Sequence, residues 1–215
     1  VIPFLRAQNL PSTIEGLIIS HGDLDHAGGV PEVSTAYNPK HVWAGERERL
    51  PFGVNADSCR QGMVWQYRDT RIEVLFPAEH YQAKTANNHS CVVMMTAKGK
   101  RILVMGDLEG EGERDFLRAF TGDLKADVLI AGHHGSKNAS SYALLKRVKP
   151  EVVVFSAGYR NRFGHPHVSV LDRVRRFDTS VYTTAESGAI MFDLADDFLD
   201  VRELRKEDES FWLSN

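Results

Sequence analysis

The stretch Ser20-His21-Gly22-Asp23-Leu24-Asp25-His26-Ala27-Gly28-Gly29 constrains this chain more than any other. Two imidazoles and two carboxylates fall within six residues, directly behind the apolar run Gly16-Leu17-Ile18-Ile19. A run that is short, branched and free of charge predicts a buried strand, so these side chains enter one space at its C-terminal end. The glycines behind them allow a tight turn into a helix whose N-terminus lies near the cluster. Neutral imidazole nitrogen and carboxylate oxygen are the donors that borderline and hard divalent ions accept. A polar turn with one histidine is commonplace, but four ligand-type groups crowded together point to a metal.

The same grammar recurs along the chain. Residues 71–76 alternate and stop at Pro77, which predicts a strand. Residues 91–95 and 100–105 are apolar runs joined by Lys98-Gly99-Lys100, the pattern of a hairpin. His89 stands at the mouth of the first run and Gly106-Asp107-Leu108 at the exit of the second. Residues 127–131 predict a further buried strand leading into Gly132-His133-His134-Gly135-Ser136. Residues 151–156 predict another, leading into Tyr159-Arg160-Asn161-Arg162-Phe163-Gly164-His165-Pro166-His167. Helices are expected over 109–120, where early acidic residues suit the helix dipole, over 140–148 and over 168–177.

Weaker signals fill the remainder. Residues 1–15 read as a short helix or loop, 30–37 as one or two helical turns and 41–44 as a short strand in which His41 is a packing residue. Residues 46–71, broken by Pro51, Gly53 and Gly62, read as a long loop with little regular structure. Strands over 181–184, 188–194 and 199–204 close the chain. Strand, polar cluster and helix in repetition describe a layered α/β protein with its site built from several loops at one sheet edge. The strand-rich end argues against a purely parallel sheet.

At 215 residues the chain suits one domain spanning 1–215, and 42% hydrophobic residues are enough to exclude disorder by composition. Cys59 and Cys91 are far apart and do not amount to a disulfide framework. No apolar run approaches a membrane span and no signal peptide is visible; the chain starts at Val1, which reads as a cut into a longer protein. A net charge of −3 does not by itself suggest nucleic acid, but its distribution is uneven. Residues 137–176 hold nine basic and two acidic groups, a net +7 against −10 elsewhere, which fits either a phosphate-facing surface or a solvated basic face.

Taken in order, these clusters resemble the metallo-β-lactamase superfamily, and within it the C-terminal domains of DNA-uptake channels of the ComEC type. The residues that carry the resemblance are the stretch from Ser20, Gly106-Asp107-Leu108, Gly132-His133-His134-Gly135-Ser136 and Asn161-Arg162-Phe163-Gly164-His165-Pro166-His167. The resemblance implies an αββα four-layer sandwich lacking its first strands here, with a two-metal site along one sheet edge. It implies His21 and His26 as imidazole ligands, Asp25 as their carboxylate, Asp107 as the bridging carboxylate, and His134 as the later histidine, with His165 competing for that place. His89 matches a strand-end ligand by position. Asp23 stands where the larger superfamily has a second histidine, which exchanges a nitrogen donor for oxygen and favours a harder ion such as manganese over zinc.

The function implied is a metal-dependent nuclease that degrades the DNA strand not imported during natural transformation. The domain would belong to an inner- or cytoplasmic-membrane channel protein and face its outer, periplasmic side. Two divalent ions, manganese or zinc, would be the cofactors, and DNA and the rest of the channel the partners. Asp25 would orient water, and His133 or His165 would protonate the departing oxygen, unless His133 only supports His134. Ser136, Lys137, Arg160 and Arg162 flank the late histidines and are the candidate phosphate contacts. Two alternatives stay open: a hydrolase of a small phosphodiester, thioester or lactam, and a metal-free module that only binds DNA.

Overall fold

The computed structural model describes residues 2–8, 11–195 and 198–207. Its strands are β1 (Gly16–Ile19), β2 (His41–Ala44), β3 (Asp57–Ser58), β4 (Val64–Tyr67), β5 (Thr70–Phe76), β6 (Val92–Ala97), β7 (Lys100–Val104), β8 (Val128–Ile130), β9 (Val152–Phe155), β10 (Ser180–Thr183), β11 (Ile190–Ala195) and β12 (Phe198–Glu203). The helices are α1 (Ile2–Ala7), α2 (Leu24–Ala27), α3 (Val30–Tyr37), α4 (Gly110–Ala119), α5 (Tyr142–Val148), α6 (Val168–Arg175), α7 (Thr184–Ser187) and α8 (Leu204–Glu207). Of the expected 1–15 segment, residues 1, 9 and 10 lie outside the described residues.

Three parallel strands form a small sheet in the order β1-β2-β3. Seven strands form a large one in the order β10-β9-β8-β7-β6-β5-β4. Its half from β7 to β10 is parallel and its half from β4 to β7 antiparallel, so the sheet is mixed; the antiparallel half comes from residues 64–104, while the strand-rich end of the chain adds β10 in parallel and folds β11 and β12 into a separate hairpin.

The side-chain alternation of the large sheet builds the layers. Val92, Met94, Leu129, Val153 and Phe155 face α4, α5 and α6, where Phe116, Leu144, Leu145, Val148, Val170 and Val174 complete the largest core. Their neighbours on the same strands point the other way. Val74, Cys91 and Val93 pack against Trp43 of β2, and Val128, Val152 and Val154 against the hairpin of β11 and β12. On its far side the small sheet packs Ile19 and Ala44 against Ala27 and Val30 of α2 and α3. Helix, sheet, sheet and helix are thus stacked in four layers, the αββα arrangement. Strands buried on both faces must be apolar at every position, and β9, Val-Val-Val-Phe, is buried throughout.

Two features depart from the sequence reading. The segment 46–71 is not an unstructured loop: it carries a 3₁₀ turn at Arg47–Arg49 and the strands β3 and β4. β4 is an edge strand with only Trp65 directed inward, onto Trp43 at a ring-centroid distance of 4.3 Å, so its period is too short to stand out. The two cysteines meet. Cys59, after β3, and Cys91, before β6, form a disulfide that staples the two sheets together beside the site.

Candidate metal centre

Every group in the cluster stands just beyond the C-terminal end of a strand. His21 follows β1, Asp25 and His26 ride on the first turn of α2, Asp107 follows β7, and His133 and His134 follow β8. Backbone hydrogen bonds fix these ends to one another: Cys91 N–H donates to the Ser20 carbonyl, His133 N–H to Gly106, and Met105 N–H to Ile130. Gly106 is required where it stands, because it holds a φ of 56° and a Cβ there would lie 2.8 Å from the side chains of Ser20 and Ser90. His133 and His134 adopt φ of 44° and 53°, a left-handed conformation that side chains avoid and that persists where the surrounding structure enforces it.

Among the described residues, two overlapping groups are of the kind that can hold a metal ion: His21, His26 and Asp107, and Asp25, His26 and His134. His26 Nε2 lies 3.1 Å from Asp107 Oδ1 and 3.2 Å from His134 Nε2, and His134 Nε2 lies 3.2 Å from Asp25 Oδ2. His21 Nε2 is 3.9 Å from Asp107 and 3.7 Å from Asp23, whose other oxygen pairs with Arg49 at 2.9 Å.

Ring orientation follows from what lies behind each imidazole. His134 Nδ1 is 2.6 Å from the Ser156 carbonyl, which can only accept, so neutral His134 keeps its proton there and turns the Nε2 lone pair into the site. The Ser20 hydroxyl lies 3.1 Å from His21 Nδ1 and 3.0 Å from His26 Nδ1, and its two lone pairs can take both N–H groups.

The residues fit a cation. His21 is fully buried, yet its Nε2 has no hydrogen-bond partner among the described residues; Asp107 Oδ1, in its shielded position, has only the His26 Nε2 at 3.1 Å, which is not aligned as a hydrogen bond. Buried polar atoms are rarely left in that state unless something else binds them. Lone-pair nitrogens pointed at each other and at carboxylates form a donor set of nitrogen and oxygen, which suits zinc and manganese alike.

The electrostatics of the cluster favour the ligating form at His21 and Asp107 and oppose it at His26. Burial, reinforced by the neighbouring His26, holds His21 below the usual imidazole value, in the neutral form a metal needs. Burial also works against a charged His26, but the close Asp107 carboxylate, with Asp25 and Asp23, outweighs it and pushes His26 up. Desolvation alone would raise Asp107; His26, His134 and His133 outweigh it and keep the group ionised.

A family model described as the metallo-β-lactamase superfamily matches residues 4–159. The chain belongs to the metallo-β-lactamase superfamily. Recombination protein 2 of Haemophilus influenzae is 33% identical over 206 residues, 95% of this chain and 25% of that protein. Competence protein ComA of Neisseria gonorrhoeae is 35% identical over 205 residues, 95% of this chain and 29% of that one. The chain therefore spans about a quarter of the length of these relatives. Among solved structures, the metallo-β-lactamase fold protein YhfI of Bacillus subtilis superposes with a TM-score of 0.50 at 11% identity, covering 93% of this chain and 81% of that one. The metallo-β-lactamase fold inferred from the sequence is the fold observed.

Within this metallo-β-lactamase scaffold the expected residues separate into groups. His21, Asp23, Asp25, His26, Asp107, His133 and His134 come together. His89 ends a 3₁₀ turn, and among the described residues its side chain makes no hydrogen bond or ion pair with the cluster. Its neighbours face the site instead: Ser90 Oγ accepts the Asp107 N–H at 2.9 Å and Asn88 Oδ1 accepts the Glu109 N–H at 3.1 Å. Ser136 is buried, its hydroxyl donated to Glu109 at 2.8 Å, whereas Lys137, Arg160 and Arg162 are exposed. His165 packs its ring against His133 at 5.8 Å, and His167 caps α6.

Sequence reasoning missed Ser20, Ser90, Asn88 and Glu109. Each stands within two residues of a named candidate, but nothing in the sequence shows that these side chains face it. Glu109 matters most: it lies 2.9 Å from His133 Nδ1, and this contact pushes His133 up while His133 and Ser136 hold Glu109 down.

Proposed function

We propose that this chain is a metal-dependent phosphodiesterase, the nuclease domain of a DNA-uptake channel, and that it degrades the DNA strand that is not imported. The observation that carries the reading is the convergence of unpartnered His21 and Asp107 atoms with His26, His134 and Asp25. The competence relative and the net +7 of residues 137–176 support a polyanionic substrate.

His21, His26, Asp25, Asp107 and His134, with Asp23 beside them, hold two divalent ions, manganese or zinc; His89 is the remaining candidate. Such ions, when bound, lower the pKa of water and polarise a phosphoryl oxygen. Asp25, exposed at the rim and 3.2 Å from His134, accepts a hydrogen bond from the attacking water and orients it. Asp107 keeps the imidazoles in register from the centre. His133, whose Nδ1 lies 2.9 Å from Glu109, a contact that pushes its pKa up, donates a proton to the departing oxygen. His165 is kept neutral by burial and by His133 and His134, and supports the His133 ring. Lys137, Arg160 and Arg162 contact phosphates along the strand.

Among the described residues no helix is long and apolar enough to cross a membrane. The Cys59–Cys91 disulfide supports work in an oxidising compartment, on the outer face of the membrane that holds the channel.

The test is cleavage of end-labelled single-stranded DNA with manganese or zinc, beside a chelator control and the Asp25→Ala and Asp107→Ala variants. The expected result is metal-dependent cleavage, reduced at least about 100-fold in both variants. Full turnover in Asp107→Ala would remove the two-metal assignment. Tight metal binding without cleavage would redirect the reading to small substrates.

A further inference from the structure

Beyond the metal centre, the segment between β9 and α6 presents two large aromatic rings to solvent. Tyr159 is 68% and Phe163 65% exposed. Each carries an arginine over its ring, Arg160 at 5.2 Å from the Tyr159 centroid and Arg162 at 4.9 Å from that of Phe163. The match to the superfamily model ends at residue 159, so Arg160, Arg162 and Phe163 lie beyond what that model describes.

The segment is built, not loose. Asn161 Nδ2 donates to the His165 carbonyl at 2.6 Å and to the Gly158 carbonyl at 3.1 Å, while Asn161 Oδ1 accepts the His165 N–H at 2.9 Å. The rings then run inward as a row. Phe163 stacks on His165 at 5.8 Å and 22°, His165 meets His133 at 5.8 Å, and His133 meets His134 at 6.1 Å. An exposed aromatic face is thereby joined, ring by ring, to the cluster around Asp107.

An exposed ring paired with a guanidinium offers an apolar face for a base and a cation for the adjoining phosphate, and base–aromatic stacking serves every sequence because every base has a π-face. A paired base inside a duplex has no free face to offer. We propose that Phe163 and Tyr159 are stacking platforms for unpaired bases, with Arg162 and Arg160 on the flanking phosphates, so that this surface selects single-stranded DNA and leads it along the Phe163–His165–His133 row to the metal centre. The proposal rests on the nuclease reading above and extends it to strand state.

The test is equilibrium binding of the 215-residue chain, its disulfide intact, to fluorescein-labelled oligothymidylate in chelator, where no cleavage occurs. An abasic oligomer of equal length and charge and a duplex are the comparisons. The expected result is binding of oligothymidylate at least about tenfold tighter than of the abasic oligomer or the duplex. Phe163→Ala and Tyr159→Ala should each remove about fivefold or more of that preference, and Phe163→Trp should keep it. Arg162→Ala should weaken the base-bearing and abasic oligomers alike. Equal affinity for all three ligands, or a Phe163→Ala loss shared equally by the abasic oligomer, would overturn the proposal. Base-dependent binding in a chain that cleaves nothing with manganese or zinc would uphold the platform and remove the nuclease reading. Cleavage whose KM is unmoved by Phe163→Ala would do the reverse.

Discussion

At the scale of single residues, the interior holds one acid that the proposed chemistry does not use. Glu113 on α4 is 1% exposed; one carboxyl oxygen accepts the Ser141 N–H at 2.8 Å and the other has no partner among the described residues. Burial raises its pKa, against the hydrogen bonds of Ser141 and Ser140 and the charge of Arg173. A folded-state value above the unfolded one favours the protonated form, so the contribution to stability is complete below about 4.5 and is lost as pH rises through the raised value. Glu113→Gln keeps the acceptor for Ser141 and removes the charge. The Tm difference should therefore move in the variant's favour as pH goes from 4 to 8, by a few degrees, since each kcal/mol is worth about 2–4 °C in a chain of this size. Thermal scans of both proteins across that range check it; a difference independent of pH would mean that Glu113 is not the titrating group. Nothing in the sequence sets Glu113 apart from the other early acidic residues of this helix, which suit its dipole.

At the scale of elements, the disulfide links the segment after β3 to the start of β6. Closing a loop of 32 residues removes about 3–4 kcal/mol of chain entropy from the unfolded state. Cys91 also donates its N–H to Ser20, and its neighbour Ser90 accepts from Asp107, so the bridge lies one hydrogen bond away from two residues of the metal centre. A Cys59→Ser, Cys91→Ser double variant should lose about 6–16 °C in Tm and bind metal less tightly. Calorimetry and metal titration on the two proteins measure both, and an unchanged Tm would show that the sheets need no staple. The elements themselves were largely legible: the runs behind His21, Asp107 and His133 are strands because apolar runs bounded by glycine have few alternatives. β4 was not, because an edge strand with one inward side chain leaves no period to detect.

At the scale of the whole molecule, the candidate metal centre is where both sheets end. β1 comes from the small sheet, β7 and β8 from the large one, so an ion held between them ties the halves together. Ligand binding to the folded state alone stabilises by about 4 kcal/mol at a thousandfold excess over Kd. Saturating manganese or zinc should raise the Tm by about 8–16 °C over the chelated protein, and Asp107→Ala should abolish the increase. Differential scanning with each ion measures it, and identical curves with and without metal would sink the assignment of these residues as a structural bridge.

The sequence by itself determined which side chains could serve. The crowding of His21, Asp23, Asp25 and His26 behind one strand, and the recurrence of strand, cluster and helix, follow from local spacing and apolar patterning, which adjacent residues carry in full. The four-layer fold came with the resemblance those clusters support. Only the tertiary structure decided which candidates meet. It brought Asp107, His133 and His134 to the first cluster across roughly a hundred residues, left the His89 side chain out of the cluster's ion pairs, turned Ser136 to Glu109, and joined Cys59 to Cys91. It also placed Ser20 and Ser156 behind the imidazoles, which sets the nitrogen each can offer. Those outcomes depend on how two sheets pack and where their strand ends coincide, and no window of neighbouring residues contains that information.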